Sequence, residues 1–265
     1  MEVVGYAASL MIGISLGLIG GGGSVLTLPV MVYLFGLQPL VATSYSLFIV
    51  GSTSMIGALN NLRKGLVNLK AVLFFGTTSI ATVFVTRKFI VHAIPDVLFS
   101  IGDVAISGSL LTMVLFAVFM LLASLSMILR KKTEVHDTEC RNCIRNAKLL
   151  GYGVSIGLIT GFLGAGGGFL LIPALVIVLK LPMKVAVGTS LMIIGLNSLI
   201  GFTGDLGYLT INWFLLIKIT AIAIAGIFIG GALGKKIQAE KLKKLFGWFV
   251  LVMGMYILLK EMLFK

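Results

Sequence analysis

Two stretches decide the fold: residues 13–47, GISLGLIGGGGSVLTLPVMVYLFGLQPLVATSYSL, and residues 157–191, GLITGFLGAGGGFLLIPALVIVLKLPMKVAVGTSL. The second aligns with the first without a gap at an offset of 144 residues. The alignment pairs four glycines and a proline: Gly17, Gly20, Gly22, Gly23 and Pro29 match Gly161, Gly164, Gly166, Gly167 and Pro173. Apolar composition alone does not readily align such a set, so the chain carries an internal repeat.

The composition places the chain in a membrane. Hydrophobic residues make up 58% and charged residues only 11%, whereas a soluble domain carries roughly 25% charged residues. A spanning helix needs about 20 mostly apolar residues. Apolar runs of about that length or longer lie near 3–20, 41–60, 67–86, 98–129, 148–164, 185–204, 212–234 and 245–264. We therefore expect an all-α integral membrane protein with about eight long transmembrane helices.

The run at 98–129 is too long for one span, so we expect part of it to lie at the membrane interface. Two shorter runs, 25–36 and 169–180, follow the glycine clusters directly. Twelve residues at 1.5 Å each reach only about 18 Å, well short of a hydrocarbon core of roughly 30 Å. We expect two glycine-broken half-helices that meet near the midplane.

The basic residues predict the orientation. Six Lys and Arg lie at 130–148 and five at 235–244, whereas the opposite set of loops is poor, with two at 87–88. Because cytoplasmic loops carry the excess of Lys and Arg, the N-terminus is predicted outside and the two repeats enter from opposite faces. The predicted organisation is repeat 1 at residues 1–129, a cytoplasmic linker at 130–147 and repeat 2 at 148–265. The net charge of +12 belongs to these loops and does not indicate nucleic-acid binding.

The glycine clusters are candidate anion sites. The first amides of a helix lack intrahelical partners and carry the positive end of the helix dipole. Glycine lets that backbone approach a ligand closely. The candidate residues in these bends are Gly21, Gly22, Gly23, Ser24, Gly166, Gly167 and Gly168. The alternative is that these glycines only permit tight bends and close helix packing.

Polar side chains inside the predicted helices add further candidates. They are Ser44, Ser46, Thr53, Thr189, Ser190 and Asn197. Each could contact a ligand, and each could equally cap or brace helices. Asp205 is interpreted as the end of its helix, and no acidic residue lies clearly mid-helix. The sequence therefore assigns no coupling ion.

The central linker contains the one candidate metal or redox motif. Cys140 and Cys143 form a C-x-x-C pair, and His136 precedes them by four residues. A fourth zinc ligand is not obvious. We interpret the two cysteines as ordinary loop residues and expect neither a metal nor a cofactor.

The doubled motif resembles a known family. The segments GGGGSVLTLP and GAGGGFLLIP, followed by VATSYSL and VAVGTSL, are similar to the sulfite exporter TauE/SafE family over nearly the whole chain. The resemblance implies a prokaryotic inner-membrane permease for sulfur-containing anions such as sulfite, thiosulfate or sulfonates. Some relatives carry membrane-embedded cysteines for thiosulfate, and this chain departs from that pattern.

The sequence thus favours a secondary transporter that moves small anions by alternating access. Its expected partners are a small anionic substrate and the lipid bilayer, and homo-oligomerisation stays open. One alternative is a membrane sensor or assembly partner that acts through the central loop. Another is an intramembrane enzyme, which the sequence disfavours because the histidines, His92 and His136, lie in loops and no mid-membrane carboxylate pair accompanies them.

Overall fold

The computed structural model describes residues 2–91, 97–101, 104–129, 142–164, 166–234 and 239–263. Within these ranges the helices are α1 Glu2–Ile19, α2 Thr27–Tyr33, α3 Pro39–Arg63, α4 Leu69–Val91, α5 Gly108–Leu129, α6 Asn142–Leu163, α7 Gly168–Val178, α8 Met183–Asp205, α9 Trp213–Leu233 and α10 Ala239–Leu263. The strands are β1 Val97–Ile101 and β2 Val104–Ser107. A 3₁₀ segment, Gly21–Leu26, leads directly into α2.

Four helices in the described part of the chain, α3, α4, α8 and α9, are long and apolar enough to cross a membrane. They contain 21 to 25 residues, with mean hydropathies from 1.4 to 2.2. At 1.5 Å per residue even the shortest spans about 30 Å. Large apolar side chains cover the outside, with Phe214 and Val252 71% and 62% exposed. These features confirm a helical membrane protein.

The apolar run at 98–129 is divided between a hairpin and a helix. β1 and β2 pair in antiparallel register, with Val97 opposite Ser107 and Ile101 opposite Val104. The helix α5 then begins at Gly108. Valine and isoleucine, which favour strands, occur in both strands. The helical class holds, with the hairpin as an addition to it.

The first helix of the second half begins before residue 148. The helix α6 begins at Asn142, inside the predicted linker at 130–147. The residues 130–141 lie outside the described residues.

The two halves of the chain interleave. Helix α1 packs along α9, and α6 packs along α4. A side chain at Gly13 would collide with the carbonyl of Ala223, and one at Gly157 would lie 2.7 Å from the carbonyl of Ser79. These two contacts are related by the 144-residue offset, since Gly157 corresponds to Gly13 and Ala223 to Ser79. Small residues thus allow the first helix of each half to approach the other half closely.

Helices α3 and α8 form the centre of the fold and run antiparallel. A side chain at Gly51 would lie 3.0 Å from the amide nitrogen of Leu199, and one at Gly195 would lie 3.1 Å from that of Met55. Gly195 and Leu199 are the repeat equivalents of Gly51 and Met55. The same contact therefore occurs twice, with the two equivalent helices exchanged.

Two helix caps repeat this symmetry. The backbone amide of Asn68 donates a hydrogen bond to the Thr189 hydroxyl at 2.9 Å, and that of Asn212 donates to the Tyr45 hydroxyl at 2.7 Å. Each asparagine side chain accepts a bond from the amide three residues later, at 3.0 and 3.2 Å. Each cap provides a hydrogen-bond acceptor for a backbone amide at the start of a helix. The two caps also connect α4 to α8 and α9 to α3.

Candidate functional site

The two glycine bends meet inside the protein. Gly21 and Gly168 are in direct contact, because a side chain on either one would overlap the backbone of the other. Gly168 begins α7, and Gly21 begins the 3₁₀ segment that precedes α2. The starts of the two short segments thus face each other with no side chain between them.

The second bend depends on left-handed backbone. Gly164, Gly166 and Gly167 have φ angles of 63°, 67° and 62°, and Gly20 in the first bend has a φ of 76°. Residues with a Cβ adopt such angles at a cost, so glycine is required here. The chain reverses direction within a few residues and opens α7 with its first amides outside the helical ladder.

Not every glycine of the clusters belongs to the contact between the bends. A side chain at Gly23 would collide with Ser15 and Leu16 of α1, and one at Gly167 would collide with Thr160 of α6. These two glycines are repeat equivalents. They close each short segment against the long helix before it, which is the packing role considered for them from the sequence. Gly22 lies in the same 3₁₀ segment.

Most of the predicted hydroxyls bond within their own segment. Ser24 donates to the Gly21 carbonyl at 2.8 Å, Thr53 to the Ile49 carbonyl at 2.6 Å, and Ser190 to the Val187 carbonyl at 2.9 Å. Such bonds to the preceding turn satisfy the hydroxyls locally. Ser24 and Ser190 nonetheless lie at the first bend, since a side chain at Gly20 would lie 3.5 Å from the Ser190 hydroxyl.

The other predicted polar residues are fully buried. The Asn197 amide donates to the Ser79 hydroxyl at 2.7 Å, which ties α8 to α4. Thr189 serves the cap of Asn68. The Ser46 hydroxyl and the Asn197 side-chain oxygen have no hydrogen-bond partner among the described residues.

Three further hydroxyls at the bends or on the central helices were missed from the sequence. Ser54 and Ser198 are repeat equivalents, both fully buried, and their hydroxyls have no partner within the described ranges. The Ser198 hydroxyl lies 3.0 Å from where a side chain of Gly166 would begin. Thr160, beside Gly167, is likewise buried with its hydroxyl unbonded in that part of the structure. The shared offset of Ser54 and Ser198 was the sequence signal that could have identified this pair.

A buried charge cluster lies beside the second bend. Arg87 and Asp205 are both fully buried, with Nη1 of Arg87 3.4 Å from Oδ2 of Asp205. The Ser44 hydroxyl donates a hydrogen bond to the same Asp205 oxygen. The sequence interpretation, which placed Arg87 among loop bases, was wrong, because Arg87 lies buried within α4. Asp205 ends α8, as the sequence interpretation has it.

The guanidinium of Arg87 reaches the glycine bend. A side chain at Gly164 would lie 2.6 Å from Nη2 of Arg87 and would also collide with Thr43. A guanidinium and the start of a helix both favour an anion. The second bend therefore has a buried cation directly beside it.

Helix α4 differs from its repeat equivalent where Arg87 lies. It contains π-helical segments at Val72–Gly76 and Thr86–Val91, whereas the equivalent helix α9 is α-helical throughout. The equivalent of Arg87 is Gly231, where a side chain would have open space around it.

The candidate metal or redox motif, the C-x-x-C pair with the preceding histidine, falls largely outside the described residues. His136 and Cys140 belong to the range that is not described, and Cys143 is in the first turn of α6. Among the described residues no group of three His, Cys, Asp or Glu side chains could hold a metal ion.

Comparisons with known proteins agree with the membrane architecture. The family profile described as "Sulfite exporter TauE/SafE" matches residues 6–257. A "Probable membrane transporter protein" of Xylella fastidiosa strain Temecula1 is 28% identical over 263 residues, which cover 97% of this chain and 94% of that protein. The "Probable membrane transporter protein YunE" of Bacillus subtilis is 26% identical, with 89% and 90% of the two chains covered. No solved structure matches significantly.

The match therefore extends over the repeats, the glycine bends and the central helices together. A transporter family also argues against an enzyme. The chain belongs to the sulfite exporter TauE/SafE family of membrane transporters.

Proposed function

We propose that this protein is a secondary transporter that moves small sulfur-containing oxyanions or organosulfonates across the prokaryotic inner membrane. The observation that carries the proposal is the meeting of the two glycine bends at Gly21 and Gly168, with the Arg87 guanidinium beside Gly164. Buried backbone amides, unbonded hydroxyls and a cation together match the acceptor oxygens of an oxyanion.

The binding site in this proposal lies between the halves of the chain. The glycine amides of both bends supply donors without side chains, and Ser198 and Thr160 supply buried hydroxyls at the second bend. Arg87 supplies the positive charge that offsets the desolvation of the anion. Sulfite, thiosulfate and sulfonates share compact, strongly accepting oxygen groups, and the same donors would bind each of them.

The proposal includes an inverted-topology repeat. Its support is the antiparallel contact of the equivalent helices α3 and α8, together with the paired caps at Asn68 and Asn212. With basic loops inside, the N-terminus lies outside and the 130–147 loop is cytoplasmic. Single cysteines at Lys64 and Tyr208 should then react with an impermeant thiol reagent from opposite sides. Reaction from the same side would contradict the inversion.

Alternating access requires the bends to separate. Gly21 and Gly168 touch in this conformation, so a ligand enters only when one of them withdraws. The interleaving of α1 with α9 and of α6 with α4 disfavours the separation of whole halves. Movement of a short glycine-opened segment against the central helices is the simpler gate.

Flux measurements with the purified chain in proteoliposomes test the function. The panel is sulfite, thiosulfate, isethionate and acetate, each measured against empty liposomes. We expect uptake of at least one sulfur oxyanion in preference to acetate. Flux indistinguishable from that of empty liposomes for every anion would overturn the proposal.

A further inference from the structure

Burying the Arg87–Asp205 pair in a membrane-spanning core costs desolvation free energy. Both side chains are fully buried, and removing two ions from water costs more than a simple ion pair usually returns. The carboxylate is held from two further elements, by Arg87 of α4 and by the hydroxyl of Ser44 of α3. Charged residues inside membrane helices usually mark a pathway.

The repeat shows that the fold does not need this pair. The equivalent of Asp205 is Asn61, the equivalent of Ser44 is Gly188, and the equivalent of Arg87 is Gly231. Asn61 lies beside Gly188, 3.2 Å from where a Gly188 side chain would begin, so the corresponding place exists and is neutral. Among the described residues no charged side chain is buried at that end, so the buried charges at the other end need a different explanation.

We infer that Asp205 is a proton-binding site that couples proton movement to the anion through Arg87. The inference rests on the proposed transport function and names its coupling ion. In the structure Arg87 pairs with Asp205, and its guanidinium also lies against the second bend at Gly164. An anion that enters the bend competes with Asp205 for the guanidinium.

The charges balance only if a proton accompanies the anion. With the pair closed, Arg87 and Asp205 sum to zero. When a monovalent anion takes over Arg87, the Asp205 carboxylate is left as an uncompensated buried charge, which is strongly unfavourable. A proton bound to the released Asp205 oxygen restores a net charge of zero. One proton therefore binds with each monovalent anion, and the loaded site is electrically neutral.

The neighbourhood leaves Asp205 as the proton acceptor. Lys88 follows Arg87 but is exposed, with its ammonium over the rings of Phe84 and Phe89 at 5.5 and 5.8 Å. Tyr208 is exposed and donates its backbone amide to the Asp205 carbonyl at 3.2 Å. From α3 the group that faces the carboxylate is the Ser44 hydroxyl.

Proton uptake on anion binding is the first test, because it does not require transport. Isethionate, a monovalent sulfonate without a titrating group near neutral pH, is added to the detergent-solubilised chain in weakly buffered solution with a pH indicator. We expect about one proton per bound anion, and an infrared carboxylic-acid band that is absent in Asp205→Asn. Binding without proton uptake, or a band that persists in Asp205→Asn, would overturn the inference.

Accumulation in proteoliposomes is the second test. A gradient of one pH unit, acid outside, should concentrate isethionate about tenfold inside for one-to-one coupling. Asp205→Asn should still exchange labelled for unlabelled isethionate at a reduced rate, but its accumulation ratio should fall to about one. Lys88→Gln is the matched control and should keep the tenfold ratio.

The variants separate coupling from folding and from transport itself. Arg87→Gln leaves Asp205 uncompensated and can fail to fold, so the neutral double variant Arg87→Gln/Asp205→Asn accompanies it and should fold without binding isethionate. Flux of the wild-type chain with no dependence on the pH gradient would overturn the coupling alone. Absence of both binding and flux for isethionate and thiosulfate would overturn the transport function and the coupling with it.

Discussion

The two ends of the α3–α8 pair are built by the same repeat and differ in chemistry. One end carries Ser44, Arg87 and Asp205, and the other carries their equivalents Gly188, Gly231 and Asn61. At the first end a carboxylate accepts from a hydroxyl and faces a guanidinium. At the second, the Asn61 amide donates to the Gly57 carbonyl of its own helix at 2.9 Å, and the Leu66 carbonyl lies where a Gly188 side chain would begin.

This difference separates scaffold from function. The antiparallel central helices, the paired caps and the glycine crossings occur in both halves of the chain. The charged end departs from the symmetry at three positions at once. In the proposed mechanism, opening the protein at that end separates the Arg87–Asp205 pair, whereas opening at the other end breaks no buried ion pair among the described residues. We therefore expect only the first opening to respond to an anion or a proton.

The largest effect is expected at the symmetric element shared by both ends, the contact between the bends. Gly21→Val or Gly168→Val places side-chain atoms inside the backbone of the opposite bend. We expect flux in proteoliposomes to fall to the level of empty liposomes, with membrane insertion retained. Gly231→Val, where a side chain meets open space, is the matched control and should keep its flux. Normal flux in both bend variants would remove the case for the bends.

The next largest effect is expected when the ion pair at the charged end is removed. Arg87→Gln leaves the buried Asp205 carboxylate without its counterion and should lower the free energy of unfolding by about 3–5 kcal/mol. Thermal unfolding in detergent measures this loss. The double variant Arg87→Gln/Asp205→Asn should recover most of it, because no charge then remains unpaired. A double variant as unstable as the single one would show that packing and not charge sets the cost.

A smaller effect tests the hydroxyl that holds the carboxylate. Ser44→Ala removes a hydrogen bond to a charged group, and we expect a loss of about 1.5–3 kcal/mol in the free energy of unfolding. Ser54→Ala is the matched control, since that buried hydroxyl has no partner among the described residues. Equal losses in the two variants would mean that Ser44 contributes only by filling space.

The smallest effects sharpen the symmetric side of the comparison. Tyr45→Phe and Thr189→Val each remove the hydroxyl that accepts from an asparagine amide at 2.7 or 2.9 Å. Each should cost about 1 kcal/mol in the free energy of unfolding, and the two losses should be similar. A large difference between them would show that the two caps are not equivalent despite their geometry.

The sequence was sufficient for the parts of the molecule that repeat. Gly20 and Pro29, aligned with Gly164 and Pro173, located both bends and their short helices, and the apolar runs located the four long helices of the centre. Ser54 and Ser198 carried the same signal but were overlooked among many serines. Repetition is visible in a single sequence because it compares the chain with itself.

The charged end could not be read from the sequence. Arg87 stands next to Lys88 after a run of apolar residues and looks like a helix end facing water. Its pairing with Asp205 joins residues 118 positions apart in the chain, and hydrophobic periodicity does not reveal such a contact. The hairpin at Val97–Ser107 was hidden for a related reason, because a short apolar run fits a buried strand and a helix equally well.

The central claim is that an anion binds between the halves where the bends meet. Cysteines at Ser54 or Ser198, introduced after Cys140 and Cys143 are replaced by serine, test it by reaction with a small charged thiol reagent. The account predicts that both positions react in proteoliposomes and that thiosulfate or isethionate slows both reactions. A cysteine at the exposed Tyr208, which follows α8, should react whether or not the anion is present. Inert cysteines at both positions, or reactions that no anion slows, would contradict the account.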